Sequence, residues 1–126
     1  MPGPESRRME ITPFFDDGGV RRVSIAGRIV QNDLDEKRAA LDQLFSPGES
    51  ASPMLLDLSA ADFIDSSGLS CLLIWHKRYN GAKSKLVLHS IPPMIFDVLR
   101  MMRLDVVFNI ADDETAAREM LQGAAS

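Results

Sequence analysis

Apolar residues in this chain come in short bursts, and the spacing inside each burst alternates between a strand-like two and a helix-like 3.6. Met9, Ile11 and Phe15 share one parity with Pro13, while Val23 and Ile25 alternate with Arg22 and Ser24. Asp16-Asp17-Gly18-Gly19 between the two runs is turn chemistry, so the start predicts a β-hairpin. Pro13 cannot donate to a ladder, which assigns the first strand to a sheet edge or to a bulge. Gly27 then interrupts the alternation. A first helix is expected from Asn32 or Asp33, where Asp33 and Glu36 have capping-box spacing and Leu34, Leu41, Leu44 and Phe45 share a side. Ser46-Pro47-Gly48 ends it, residues 50–53 read as loop, and Met54-Leu55-Leu56-Asp57-Leu58 reads as a central strand covered on both faces.

A second helix is expected over about residues 67–80, stopped by Gly81. Leu69, Leu72, Leu73, His76 and Tyr79 form its buried stripe, with Ser70, Trp75, Lys77 and Arg78 nearer solvent. Lys85-Leu86-Val87-Leu88-His89 is a further strand. Ser90-Ile91-Pro92-Pro93 opens a third helix, since a first-turn N–H has no partner to lose, and Ile95, Val98, Leu99 and Met102 face inward. Val106-Val107-Phe108-Asn109-Ile110 is a last strand. Asp112-Asp113-Glu114 leads a final helix whose Ala117, Met120, Leu121 and Ala124 recur at helical spacing. The order ββαβαβαβα implies an α/β fold. Its sheet is mixed and mostly parallel, of four or five strands, with an N-terminal hairpin at one edge and about four helices.

Composition narrows the class. With 126 residues, residues 1–126 are read as a single domain, with 1–8 and 122–126 as frayed ends. A net charge of −4 argues against general affinity for nucleic acid or anionic membrane, and Arg7-Arg8 and Arg21-Arg22 read as solvated edges. No stretch approaches the roughly 18 apolar residues of a membrane span, so no membrane insertion is expected. Residues 1–8 lack the apolar core of a signal peptide. The single cysteine, Cys71, has no internal disulfide partner, which fits a reducing, cytoplasmic setting.

The candidate chemistry lies in Asp62-Phe63-Ile64-Asp65-Ser66-Ser67-Gly68-Leu69. Two serines open a helix at the carboxyl end of a central strand, where functional loops of open α/β sheets gather. Free N–H groups and the helix dipole favour added negative charge there, so a phosphoryl group on a hydroxyl is well accommodated. One reading is that Ser66 or Ser67 caps the helix. The other is that the same hydroxyl is a reversible charge switch, and the two are compatible.

Asp65-Ser66-Ser67-Gly68-Leu69, preceded by Ile64 and the strand Leu55-Leu56-Asp57-Leu58, resembles the phosphorylation loop of STAS domains, specifically the bacterial anti-sigma-factor antagonists. Residues 91–99 and 102–108 resemble the family's later helix and its lead into the last strand, so the likeness spans about residues 9–121. The resemblance implies Ser66 as phosphoacceptor, with Ser67 the runner-up. It implies a partner surface including Asp62, Asp65, Gly68, Asn32 and Asp33, with Gly68 keeping the start of the helix clear for an approaching kinase. It implies a non-enzymatic regulator. Unphosphorylated, such a protein binds an anti-sigma factor that is a GHKL-type serine kinase, and so frees a sigma factor. A PP2C-type phosphatase resets the switch, and ATP and Mg²⁺ belong to the kinase. No cofactor or metal is expected of the chain itself. One departure concerns partner choice: where the family has Gly-x-Leu/Ile-Asp, this chain has Gly27-Arg28-Ile29-Val30, with Asn32 or Asp33 left to substitute for the acid.

Three rival readings compete with this one. A serine hydrolase elbow needs Gly-x-Ser-x-Gly, and the first glycine is missing before Ser66. A receiver domain phosphorylated on Asp57 lacks its acidic pair and its lysine. STAS domains also serve as subunits of lipid-transport ABC complexes or of stress-signalling assemblies, which the loop alone does not separate from the antagonist. Elsewhere, His76 reads as a core histidine, His89 as a strand-end histidine at the loop edge, and Cys71 as small apolar filler. Two histidines and one cysteine at no ligand spacing give no metal site. Trp75 and Arg78 read either as a partner anchor or as rim packing, and Met94, Met101 and Met102 as flexible core filler.

Overall fold

Alternation along residues 21–29 decides how the sheet is built. They form strand β2 (Arg21–Ile29), with Val23, Ile25 and Ile29 buried on one face. Strand β1 (Glu10–Phe15) pairs with it antiparallel, setting Ile11 opposite Ile25 and Pro13 opposite Val23. β1 is an edge strand, which tolerates Pro13's missing N–H. The computed structural model describes residues 7–15, 19–47 and 52–124, so most of the expected turn at Asp16-Asp17-Gly18 and residues 50 and 51 of the expected loop lie outside the described residues.

The chain continues through α1 (Gln31–Glu36), α2 (Arg38–Leu44), β3 (Met54–Asp57), β4 (Ala61–Ile64), α3 (Ser66–Gly81), β5 (Leu86–His89), α4 (Pro93–Met101), β6 (Asn109–Ala111) and α5 (Glu114–Ala124). The sheet runs β1-β2-β3-β5-β6, with β4 also beside β2 and every pairing after the hairpin parallel. This is the mixed α/β architecture expected from the order of elements. The described residues hold six strands and five helices, one more of each than the upper expectation.

Register divides the core between the two faces of the sheet. Val23, Leu56 and Leu88 align across three strands and pack with Leu34, Leu41, Leu72, Trp75, Ile95 and Leu99 from α1 to α4. The opposite row, Leu55 and Val87, packs with Ala111 and with Ala117 of α5, and Ala116, Met120 and Leu121 lie against this cluster. Burying these two layers supplies most of the driving force, at about 25 cal/mol per Å² of apolar surface.

Several expectations are corrected. The first helix breaks at Lys37, because Lys37 and Arg38 follow Leu34 at i+3 and i+4 and no apolar group holds that turn to the core. Asp33 does not cap it. Val30 occupies the cap, and Asp33 lies within the first turn. Trp75 is buried on α3 with Gly68, Leu72, His76 and Tyr79, and its ring stacks on Phe45 at 3.9 Å. The helix is therefore rotated toward its largest apolar side chain, leaving Leu69 and Leu73 half-buried. The last strand begins at Asn109: Arg103 turns the chain at φ 58°, and Val107 and Phe108 both donate to the Leu104 carbonyl. Val106 is left 80% exposed, and Met94, Met101 and Met102 face outward, Met101 at 81%, so they are not core filler. At the amino end the chain is tied down earlier than expected, with Arg28 N–H donating to the Arg7 carbonyl and Met9 buried. At the carboxyl end α5 continues to Ala124.

Asp33 closes this amino-terminal corner. Its side chain is 2% exposed; Oδ2 accepts from the Met9 amide at 2.9 Å and from Arg28 Nε at 3.1 Å, and Oδ1 accepts from a second Arg28 nitrogen at 3.1 Å. The Arg28 hydrogen bond holds the Asp33 carboxyl below the usual carboxylate range, outweighing the opposing effect of burial. The stabilisation is therefore complete above the unfolded-state value near 4 and is lost as pH falls through the lower folded value. Asp33→Asn is expected to lose about 1–3 kcal/mol at pH 7 and to show a flatter decline between pH 5 and 3 than the parent. Urea unfolding across that range checks this, and parallel curves would refute the assignment.

Candidate functional site

The segment after β3 turns back immediately. Asp57 Oδ1 accepts from the Ser59 amide at 2.8 Å, and the chain then pairs with the far end of β2 as β4, where a plain loop was expected. Gly27, at φ 82°, sits at the register shift that makes room for this. A Cβ there would lie 2.3 Å from the Arg8 carbonyl oxygen.

Asp65 follows β4 in extended conformation and caps α3: its Oδ1 accepts from the Gly68 amide at 2.9 Å. Neither serine is the cap, contrary to the capping reading, because an aspartate one position earlier satisfies the same amide. Its other oxygen, Oδ2, accepts from the Gln31 amide at 3.1 Å, the first residue of α1. The Asp65 amide in turn donates to the Ile29 carbonyl at 3.2 Å. One residue thus holds the end of β2, the start of α1 and the start of α3.

Gly68 is what lets α3 approach so closely. A Cβ would meet the Ile29 carbonyl oxygen at 2.5 Å and Ile64 Cγ1 at 2.6 Å. The glycine is buried and faces the sheet, so it does not clear a path for a partner. Ser66 and Ser67 occupy the first two helical positions, Ser66 exposed and Ser67 half-buried. With Ser70, Gln31, Asp35 and Arg38 they border an open groove of about 270 Å³ between α1–α2 and α3. Leu34, Cys71 and Ile74 give it an apolar side.

The remaining sequence candidates separate. Asn32 is exposed on α1, whereas Asp33 beside it is buried in the Arg28 pair and presents no carboxylate to a partner. Asp62 lies half-buried on β4, with Oδ2 3.4 Å from the Arg7 guanidinium. Val30 is the half-buried cap of α1. Trp75 and Arg78 form no surface anchor: the ring is buried, and Arg78 reaches Asp42 at 3.5 Å. His76 is buried as expected, accepting at Nε2 from Asn80 Nδ2 at 3.2 Å, and burial pushes its pKa down. His89 is buried at the strand end with Nδ1 2.9 Å from Ser90 Oγ, and burial lowers its pKa as well. Burial raises the Cys71 thiol, which keeps it protonated and unreactive at neutral pH.

What sequence reading missed here is the role of Asp65 as a double cap, and of Arg38 and Asp35 as walls of the serine groove. The usable signal for the first was aspartate's own strength as a cap, three residues before a glycine. The close approach at Gly68 is measurable. Gly68→Ala is expected to lose about 1–3 kcal/mol by overpacking against β2, although alanine is the better helix former. A thermal or urea melt showing stabilisation would refute that packing.

The family model described as Mlab, STAS domain matches residues 16–111. Among curated proteins none matches. Solved structures share the fold at low identity. An anti-sigma factor antagonist from Mycobacterium paratuberculosis is 22% identical with a TM-score of 0.72, covering 97% of this chain and 99% of that one. An anti-sigma-factor antagonist (STAS) domain protein from Planctomyces limnophilus is 20% identical, also at 0.72, covering 95% and 100%. The Bacillus cell fate determinant SpoIIAA in its phosphorylated form is 14% identical at 0.63, covering 88% and 99%. The length of the family match, over a sheet whose second strand and serine junction carry its shape, means that the chain belongs to the STAS domain family.

Proposed function

We propose that the chain is an anti-sigma-factor antagonist: a non-enzymatic, cytoplasmic, protein-binding regulator switched by phosphorylation of Ser66. Unphosphorylated, it binds an anti-sigma factor that is also a GHKL-type serine kinase and so frees a sigma factor. The kinase uses its own ATP and Mg²⁺: a bond forms between Ser66 Oγ and the γ-phosphorus, the β–γ bridge breaks, and ADP leaves. The hydroxyl proton passes to a base on the kinase. A PP2C-type phosphatase reverses the modification.

The observation that carries this reading is the position of Ser66. It is the exposed first residue of a 16-residue helix, on the rim of a groove, held by an aspartate whose oxygens are both engaged. Ser67 is the poorer acceptor because it is half-buried. A phosphoryl group adds about −1.5 to −2 charge, which the helix start tolerates within the chain. At a closed contact the same charge, beside Asp35 and Asp65, carries repulsion and desolvation. A coupling of roughly 1–3 kcal/mol changes affinity about five- to 150-fold without moving the backbone. The similar proteins support the reading by their descriptions as anti-sigma factor antagonists, one of them in a phosphorylated form.

One observation favours a second reading. Met94, Met101, Met102 and Val106 are each exposed, on α4 and the turn after it, and they are not among the residues that line the serine groove. Exposed large apolar side chains of this number suit a permanent subunit contact, as in a lipid-transport ABC complex or a stress-signalling assembly. Mass spectrometry after incubation with candidate GHKL-type kinases and ATP separates the two. Modification is expected in the parent and absent in Ser66→Ala, and Ser66→Asp should bind the kinase at least fivefold more weakly. Labelling that survives in Ser66→Ala and disappears in Ser67→Ala would overturn the acceptor assignment. No labelling, with co-purification of an ABC ATPase, would favour the second reading.

A further inference from the structure

Across the groove from the serines stands Arg38, the first residue of α2. Its guanidinium reaches back to Asp35 Oδ1 at 2.6 Å, and both side chains are more than half exposed. An ion pair this open to water contributes little and exchanges readily. Arg38 and Cys71 line the same groove, from α2 and α3 respectively. Among the described residues it is the arginine that lines this groove. A phosphoserine has twice the charge of a carboxylate and three acceptor oxygens, and arginine takes such oxygens in a two-pronged fork.

We infer that Arg38 is the receptor for the phosphate on Ser66, exchanging its exposed pair with Asp35 for a charge-assisted bridge from α2 to the start of α3. This regulation rests on the reading of Ser66 as phosphoacceptor. The bridge spans the groove mouth, so the modification acts in two ways. It presents anionic charge to a partner, and it covers the apolar side formed by Leu34, Cys71 and Ile74. Asp35, displaced from Arg38, adds a second negative charge at the rim. Because the bridge is intramolecular, it persists when the partner has left, and it shields the phosphate from a phosphatase that approaches through the groove.

The test uses the full chain carrying phosphoserine inserted at position 66 during translation, so no kinase is required. Phosphorus NMR follows the second ionisation of the phosphate in the parent and in Arg38→Gln. The ordinary midpoint is near 6, and an arginine in contact lowers it. The parent is expected to titrate about half a unit or more below Arg38→Gln, with Arg38→Lys between them. Both variants alter an exposed side chain and are expected to fold. Coincident midpoints in all three would overturn the bridge. The switch reading is judged separately, by kinase binding to the unmodified and phosphorylated parent. Equal binding with an Arg38-dependent midpoint sinks the switch and keeps the bridge, while unequal binding with coincident midpoints does the reverse.

Discussion

The carboxylate of Asp65 is the constraint on which the functional end of this molecule depends. Two helix starts bring unpaired N–H groups to the same place, and a single side chain accepts one from each, at 2.9 Å and 3.1 Å. Its own amide is fixed to the end of β2 at 3.2 Å, so the junction is referred to the sheet rather than to a loop. Ser66 comes next in the chain. Its exposure and its direction follow from that anchoring, together with the glycine that lets α3 lie against β2. A modifiable hydroxyl held this way can change charge without requiring the backbone to change shape.

Electrostatics are divided by burial. At the amino-terminal corner Arg28 and Asp33 are partly or wholly withdrawn from water and hydrogen-bonded to each other, and Asp33 also accepts from the Met9 amide, a structural use of charge. At the groove, Asp35 and Arg38 form a pair that water screens and that a stronger anion can displace. The two pairs lie close together in sequence, with both acids in α1 and the arginines flanking it, yet one belongs to the fold and the other to the rim of the serine groove. The net charge of −4 carries no trace of that division.

Much of the architecture was legible from periodicity. The hairpin and the parallel strands that follow it rest on patterns the fold preserves, as does the proline start of α4. β4 escaped because it has four residues, one of them the exposed Phe63, too short to establish a period against polar neighbours. The sequence suggests Asp33 as a helix cap or partner contact and Asp65 as a partner contact, and neither pattern reveals the tertiary bonds they make. Acids are usually solvated, and their engagement depends on amides from residues 24 and 34 positions away in sequence. Trp75 was misplaced by one step of helical phase, although Leu72, Trp75, His76 and Tyr79 form an i, i+3, i+4, i+7 set. The serine loop was legible through family likeness. Its groove was not, because its wall takes Asp35 from α1 and Arg38 from α2, on opposite sides of the break at Lys37, and sets them against the serines of α3.

The most direct test of the double cap is amide hydrogen exchange in the native state, comparing the parent with Asp65→Ala. If one carboxylate holds both helix starts, the amides of Gln31 and Gly68 should lose protection together, by about tenfold, while those of Leu56 and Leu88 in the central strands change much less. Loss at Gly68 alone, or at neither, would contradict the account.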